Sequence, residues 1–404
     1  KVGHWYLHIQ AKDSAGNLSE IVSSEAIIKS NMFIKNVIML AGGKASIHNM
    51  YWDVTKKITI NAYNNFKHLN FDDESIYYMI NSHIIDINND DIADNVVDSY
   101  SPTVESFLYA IENRYVSELT SDDALLIYMF GHGTKDKRFQ VLGLDNMLSA
   151  SDLDTALDFL QHQTNCKVVL IIESCYSGNF IEDLKNPSRV ILTSVSNEPY
   201  SIDASGYLSF SRLLFSKLRE GDSLEKSYAY TKHNMASIGY PLPQLSGSFA
   251  SFVYLGDIVM EPKAEIQNVV MNQTLPENSQ SVWITVQAIA GANPISSVFA
   301  QIIPPQAFIQ NNQETILYPI ISLTYHQELN QYKGLLNDLY KPGIYKIVIF
   351  AQDTQKILSN AVIYSVNAPG IYSPGDLNYD RQTNVDDVIM ALKIVSNIQS
   401  EIKL

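Results

Sequence analysis

The chain has 404 residues, with 28 Lys and Arg against 43 Asp and Glu and a formal net charge of −15. That length exceeds one ordinary core and points to about two to four domains. With 46% apolar and 18% charged residues the chain is not disordered, and its acidic balance excludes nucleic acid and anionic membranes as main partners.

The opening KVGHWYLHIQ has no basic head followed by an apolar stretch, so it does not read as a signal peptide. It begins inside a strand-like alternation, and further sequence upstream of Lys1 is expected. Residues 1–30 read as the last hairpin of a β-sandwich, with a Gly-Asn turn. The same pattern returns at 343–360. Gly3 matches Gly343, Trp5 matches Tyr345, Ile9 matches Ile349, Ala11 matches Ala351 and Asp13 matches Asp353.

Residues 31–260 alternate short apolar runs with helical periodicity. NVIMLAGG, SIYYMIN, ALLIYMF, KVVLIIE and RVILTS read as strands, apolar along their whole length. Between them, Val54, Ile58, Ala62 and Phe66 fall on one helix face, and so do Val104, Phe107, Leu108, Ile111 and Tyr115. A third helix carries Leu153, Ala156, Leu157 and Leu160, with Ser151 and Asp154 as its expected cap. A fourth, SFSRLLFSKLREG, stops at Gly221. Strands and helices in this order imply a mostly parallel sheet covered on both faces. Residues 261–368 carry short alternating strands split by Pro, Asn and Gly, as an all-β, Ig-like sandwich does. Residues 369–404 form a separate acidic unit. No apolar run of about 18 residues occurs, so no membrane span is expected.

Two of the runs stop at reactive side chains. IYMFGHG ends at His132 and VLIIESCYSG at Cys175. In a parallel sheet functional groups gather at the carboxyl ends of strands. The 43-residue spacing of His132 and Cys175 fits one right-handed crossover, which would place both residues on one sheet edge. A neighbouring imidazole lets a thiol become the nucleophilic thiolate. Gly131 and Gly133 allow close backbone approach, and the amides of Gly133 and Cys175 could serve an oxyanion. Asn49 reads as a loop residue, with an oxyanion-side donor as the alternative. Cys166 starts the strand that ends at Cys175, about 30 Å away at strand rise; a disulfide is excluded, and Cys166 reads as a packing residue.

YMFGHGTKDKRF followed by VVLIIESCYSGNF resembles the legumain family of cysteine peptidases, relatives of the caspases. ILTSVSNEPYS, the GYLSFSRLLFSKLREGDSLEKSYAYT segment and YPLPQLSG extend the resemblance over about residues 34–256. It implies a caspase-like αβα sandwich and peptide-bond cleavage by a Cys175–His132 dyad, with no triad carboxylate and no cofactor. Glu173 matches the acidic residue that lines the family's primary specificity pocket, and Tyr200 lines it by position. The family's Arg has no counterpart in NMYWDVTKK, and Gly206 stands where its Asp falls. A preference for asparagine therefore does not carry over; a pocket of Glu173 with Asp53 would favour a basic or polar side chain.

GDLNYDRQTNVDD supplies oxygen ligands in EF-hand order: Asp376, Asn378, Asp380, Gln382 through its carbonyl, Asn384 and Asp387. With the helix after it, the loop resembles one repeat of a type I dockerin, although Arg381 replaces the usual glycine. That resemblance implies bound Ca2+ and a cohesin-type partner. A second run, Asp86, Asn88, Asp90 and Asp94, is read as a solvated turn, since Val97 cannot ligate. The expected whole is a secreted bacterial protein, extracellular or on the cell surface, acting as a cysteine endopeptidase on protein or peptide substrates. Alternatives are a transpeptidase or ligase using the same acyl-enzyme, and an inert peptidase-fold scaffold that binds cohesin-type partners.

Overall fold

The computed structural model describes residues 3–28, 31–45, 51–88, 90–257, 261–277, 279–305, 315–370, 375–377 and 383–395. Its centre is a six-stranded sheet. In chain order the strands are β1 (Asn36–Ala41), β2 (Ile76–Ile80), β3 (Ala124–Phe130), β4 (Lys167–Glu173), β5 (Arg189–Thr193) and β6 (Gln244–Ser246). They lie side by side as β6-β5-β4-β3-β1-β2, parallel except for β6, which pairs antiparallel with β5. The strand order reverses beside β1, so β1 and β3 flank the crevice where sites form in such sheets.

Helices cover both faces, as the uninterrupted apolar strands require. On one face α1 (Trp52–His68), α4 (Phe210–Leu218) and α5 (Leu224–Ile238) share a core with Leu126, Tyr128 and Phe130 of β3. On the other, α2 (Val104–Asn113) and α3 (Ala150–Thr164) pack on Leu125, Ile127 and Met129 of the same strand. The period-2 alternation of β3 thus serves two cores at once.

Local chemistry sets the helix ends. Thr103 and Ser106 form a reciprocal capping box at α2. The α3 cap lies two residues upstream of the expected one: Ser149 accepts the Asp152 amide, and Asp154 instead pairs with the buried Arg189 at 2.6 Å. The segment read as one helix ending at Gly221 is followed by α5, opened by Ser223 and closed by Gly239 at φ +84°.

Residues 265–368 form a seven-stranded antiparallel sheet with a core of its own, which joins Ile284, Val286, Val298, Ile347 and Ile349. The face that this β-unit turns to the α/β unit is apolar: Phe299, Val348 and Phe350 join the core of the α/β unit, and the Tyr207 ring lies 4.8 Å from that of Phe299. The strands Gly3–Ile9 and Val22–Ile28 pair antiparallel, and their turn shares its main backbone bonds with that of strand Gly343–Asp353. Ala11 N donates to Ser19 Oγ at 2.9 Å and Ala351 N to Ser359 Oγ at 3.0 Å. Asp13 Oδ1 accepts the Ala15 and Asn17 amides, as Asp353 Oδ1 accepts those of Gln355 and Ile357. The sequence repeat is therefore a repeat of turn chemistry. A last helix, α6, spans Val385–Val395.

Candidate active site

β3 and β4 are direct neighbours, in a register that sets Phe130 against Glu173. The Gly131 amide extends the pairing by donating to the Glu173 carbonyl at 3.1 Å. His132 and Cys175 therefore leave the sheet at the same edge, from adjacent strands. Gly133 closes the gap between their loops. A Cβ on Gly133 would stand 2.1 Å from the Cys175 carbonyl oxygen and 2.5 Å from Ser174 Oγ, so only glycine fits there.

Gly133 and Phe139 form an antiparallel bridge. Its flanking bonds run from Thr134 N to the Arg138 carbonyl and from Gln140 N to the His132 carbonyl, both 2.9 Å. In such a non-hydrogen-bonded pair the Gly133 N–H points away from the partner strand. It is thus left for another acceptor, as an oxyanion donor must be. The half-buried His132 ring packs against Tyr51, with centroids 4.4 Å apart, and Tyr51 stacks in turn on Phe130 at 5.7 Å. Tyr51 immediately precedes α1 and fixes the imidazole plane from the β1 side.

The partly exposed Cys175 is bracketed by the main chain of Tyr200. The Tyr200 amide donates to Sγ at 3.2 Å, and Sγ donates to the Tyr200 carbonyl at 3.4 Å. The turn after Cys175 is tight. Tyr176 adopts φ +54°, and a Cβ on Gly178 would come within 2.8 Å of the Ser196 backbone. Tyr176 N donates to the Glu198 carbonyl at 2.9 Å and Gly178 N to that of Ser196 at 3.1 Å. The loop after β5 is in this way laced to the loop after β4.

Glu173 is 0% exposed. Its Oε1 accepts from Tyr200 Oη at 2.8 Å and Phe210 N at 3.0 Å, and its Oε2 from Ser211 N at 3.0 Å. Burial pushes its carboxyl above the ordinary value, and these donors oppose the shift. Asp53, by contrast, has a side chain 82% exposed and pairs with Lys56 at 3.2 Å. The acidic pocket expected from these two residues is not assembled: Glu173 is fully buried and Asp53 lies on the solvent side of α1. The reason is the α4 N-terminus, whose unpaired amides draw the Glu173 carboxylate inward. Tyr200 is buried as well and faces Glu173 through its hydroxyl. Gly206, at φ +76°, packs beside Lys57 of α1. The Tyr51 ring and the Tyr200 main chain were not legible as site elements; the one available signal for Tyr51 is its place just after β1, at the same sheet edge.

Both cysteines are free thiols, and burial raises the Cys166 pKa. A cavity of about 620 Å³ opens elsewhere, between α1, α4 and the β-unit; it is lined in part by His68, Arg212, Arg219 and Lys263 and borders neither His132 nor Cys175. In the C-terminal loop Asp376 and Asp387 are buried. Asp387 accepts the Leu377 amide at 2.7 Å and the Asn384 amide at 2.8 Å, which ties the loop ends together. Asn378, Asp380 and Gln382 lie outside the described residues, as does Asn49. Among the described residues no three His, Cys, Asp or Glu side chains form a metal-binding group. Asp86, Asp90 and Asp94 accept backbone amides within their own turn.

Residues 49–205 match the family model described as Peptidase C13 family. Solved structures similar to the chain include caspase-1 from Spodoptera frugiperda, at 13% identity over 56% of this chain and 92% of that one, with a TM-score of 0.38. The third fibronectin III domain of the human KIAA0343 protein is 17% identical over 28% of this chain and 87% of that one, TM-score 0.22. The fibronectin(III)-like modules of Clostridium thermocellum CbhA are 15% identical over 32% and 55%, TM-score 0.18. No curated protein matches the chain. The family match contains both His132 and Cys175, and its residues build four of the six strands of the central sheet, β2 to β5. The α/β unit of this chain therefore resembles the legumain-type cysteine peptidases of the Peptidase C13 family.

Proposed function

We propose that the chain is a cysteine endopeptidase in which Cys175 is the nucleophile and His132 the general base and acid. The observation that carries this reading is the close seating of the Gly133 backbone on Ser174 and Cys175, which brings two adjacent strand ends together. In the first step His132 takes the thiol proton and Sγ adds to the scissile carbonyl carbon. The oxygen becomes an oxyanion facing the Gly133 amide. The C–N bond then breaks, the amine leaves with the proton from His132, and a thioester remains. Water, deprotonated by His132, adds to the thioester, and the acid departs as Sγ regains the proton. Base and acid catalysis of this kind contributes about 10²–10⁴-fold. Replacing Cys175 by Ala is expected to abolish cleavage of a peptide library while the circular dichroism spectrum stays unchanged; retained cleavage would sink the assignment. An amine added to the assay distinguishes hydrolysis from transpeptidation, since both draw on the same thioester.

The remaining parts complete the proposal. Asp376, Asn378, Asp380, the Gln382 carbonyl, Asn384 and Asp387 would hold Ca2+ in an EF-hand-like loop. The buried carboxylates of Asp376 and Asp387 fit such a site. We read the β-unit as Ig-like, the C-terminal unit as a cohesin-binding half-dockerin and the protein as secreted. No described helix is long and apolar enough to cross a membrane.

A further inference from the structure

Glu173 reaches no solvent, yet it touches the nucleophile's surroundings through a short closed circuit. Residues 173 and 175 leave the same strand end. The Glu173 side chain runs to the Tyr200 hydroxyl at 2.8 Å, and the Tyr200 main chain returns to Cys175 Sγ at 3.2 and 3.4 Å. The circuit is anchored to α4, because Phe210 N donates both to Glu173 at 3.0 Å and to the Tyr200 hydroxyl at 3.0 Å. We propose that Glu173 is a positioning residue for the Cys175 thiolate, acting through Tyr200, and not a residue that selects substrate side chains.

The physical case follows from the donors. In the resting thiol, the S–H points to the Tyr200 carbonyl. When the proton leaves, the sulfur can only accept, and the Tyr200 N–H is the donor already in place. Holding that amide on the sulfur favours the anion. Without a tether, the 198–203 loop could rotate the carbonyl toward the sulfur and disfavour it. Glu173 supplies the tether, and the α4 N-terminus with the Tyr200 hydroxyl balances its buried charge. A carboxylate whose two oxygens are met by three donors at 2.8–3.0 Å has little left to offer a substrate cation.

The proposal rests on Cys175 being the nucleophile, but its test does not need turnover. Iodoacetamide alkylation of Cys175, followed by mass spectrometry across pH, reads thiolate formation directly, with buried Cys166 as internal reference. Glu173→Gln keeps the shape but turns one acceptor into an NH₂ facing the Ser211 N–H. Tyr200→Phe removes only the hydroxyl and guards against a folding failure of the first variant. Both are expected to move the alkylation midpoint to higher pH and to slow alkylation at neutral pH about tenfold or more in Glu173→Gln, less in Tyr200→Phe. Where peptide cleavage is measured, kcat should fall with KM and the preference before the cut unchanged. Alkylation profiles equal to wild type in both variants would overturn the proposal, as would an altered preference before the cut with normal alkylation. If the wild type cleaves nothing yet the alkylation shift appears, the peptidase reading fails while the positioning role stands.

Discussion

Gly133→Ala tests the contact on which the site depends. The new methyl carbon would sit 2.1 Å from the Cys175 carbonyl oxygen, more than 1 Å inside the ordinary carbon–oxygen approach of about 3.3 Å. The obstacle is backbone, so no rotamer change relieves it, and the His132 and Cys175 loops must separate by about 1 Å. Overpacking of this kind costs about 1–3 kcal/mol, or roughly 3–10 °C in Tm for a unit of this size. Displacement of reacting groups by about 1 Å costs activity near 10²-fold. The control is Gly143→Ala, where a Cβ meets nothing within 4 Å and neither stability nor activity should change. Differential scanning fluorimetry and cleavage of a quenched peptide pool read both quantities. Wild-type activity in Gly133→Ala, at a Tm within about 1 °C of wild type, would refute the loop-contact reasoning.

Four further outcomes are expected. Iodoacetamide should label Cys175 and leave Cys166 unmodified in the native protein, because Cys166 is fully buried with a raised pKa; equal labelling would contradict the described burial. Replacing both Asp154 and Asp158 by Ala removes the two carboxylates that pair with the buried Arg189 guanidinium at 2.6 and 2.5 Å and leaves it only the neutral acceptors Gln161 Oε1 and the Leu184 carbonyl. Urea denaturation should show a loss of about 3 kcal/mol, and a loss below ~0.5 kcal/mol would mean that water already satisfies the charge. His68 is held below its ordinary pKa, first by burial and then by Arg219, whose Nη2 donates to Nδ1 at 2.7 Å. Since the unfolded chain binds that proton more tightly, this contribution to stability is full above pH 6.5 and lost as pH falls further. His68→Gln should flatten the fall of Tm between pH 6.5 and about 5, and an unchanged slope would count against it. Calorimetric titration of the full chain with Ca2+ should give one binding event that Asp376→Ala plus Asp387→Ala abolishes; no heat in the wild type would remove the calcium proposal.

The parts legible in the sequence are those fixed by local pattern. Five parallel strands were visible because a strand buried on both faces must be apolar throughout, as β3 is. The placement of His132 and Cys175 at one edge of adjacent strands followed from the crossover rule, which needs only the two strand ends and the length between them. Non-local choices were hidden. Ser151 and Asp154 satisfy a capping pattern as well as Ser149 does, and Asp154 is drawn away by an arginine 35 residues on. The direction of Glu173 was not legible either, because α4, which supplies the competing amides, begins 37 residues later. β6 has three half-buried residues and no period to read.

The loop after β5 is where these non-local choices meet, and it explains why the β-unit bears on the site. Ile202 and Asp203 follow Tyr200 by two and three residues and pair in parallel with Thr315 and Ile316 of the β-unit. The Ala204 amide donates to the Ile316 carbonyl at 2.8 Å, and Gln301 Nε2 to Ser205 Oγ at 3.3 Å. On the inner side the same loop is held by Glu173 through the Tyr200 hydroxyl. The segment that brackets the sulfur is therefore held from both flanks, by the sheet that carries Cys175 and by the neighbouring β-unit. The two short backbone pairs and the Tyr207–Phe299 contact tie the loop to the β-unit. Ordering paid at folding is not paid again at binding; on the proposed reading of Cys175 as nucleophile, the β-unit would help to pre-set the Tyr200 main chain against it.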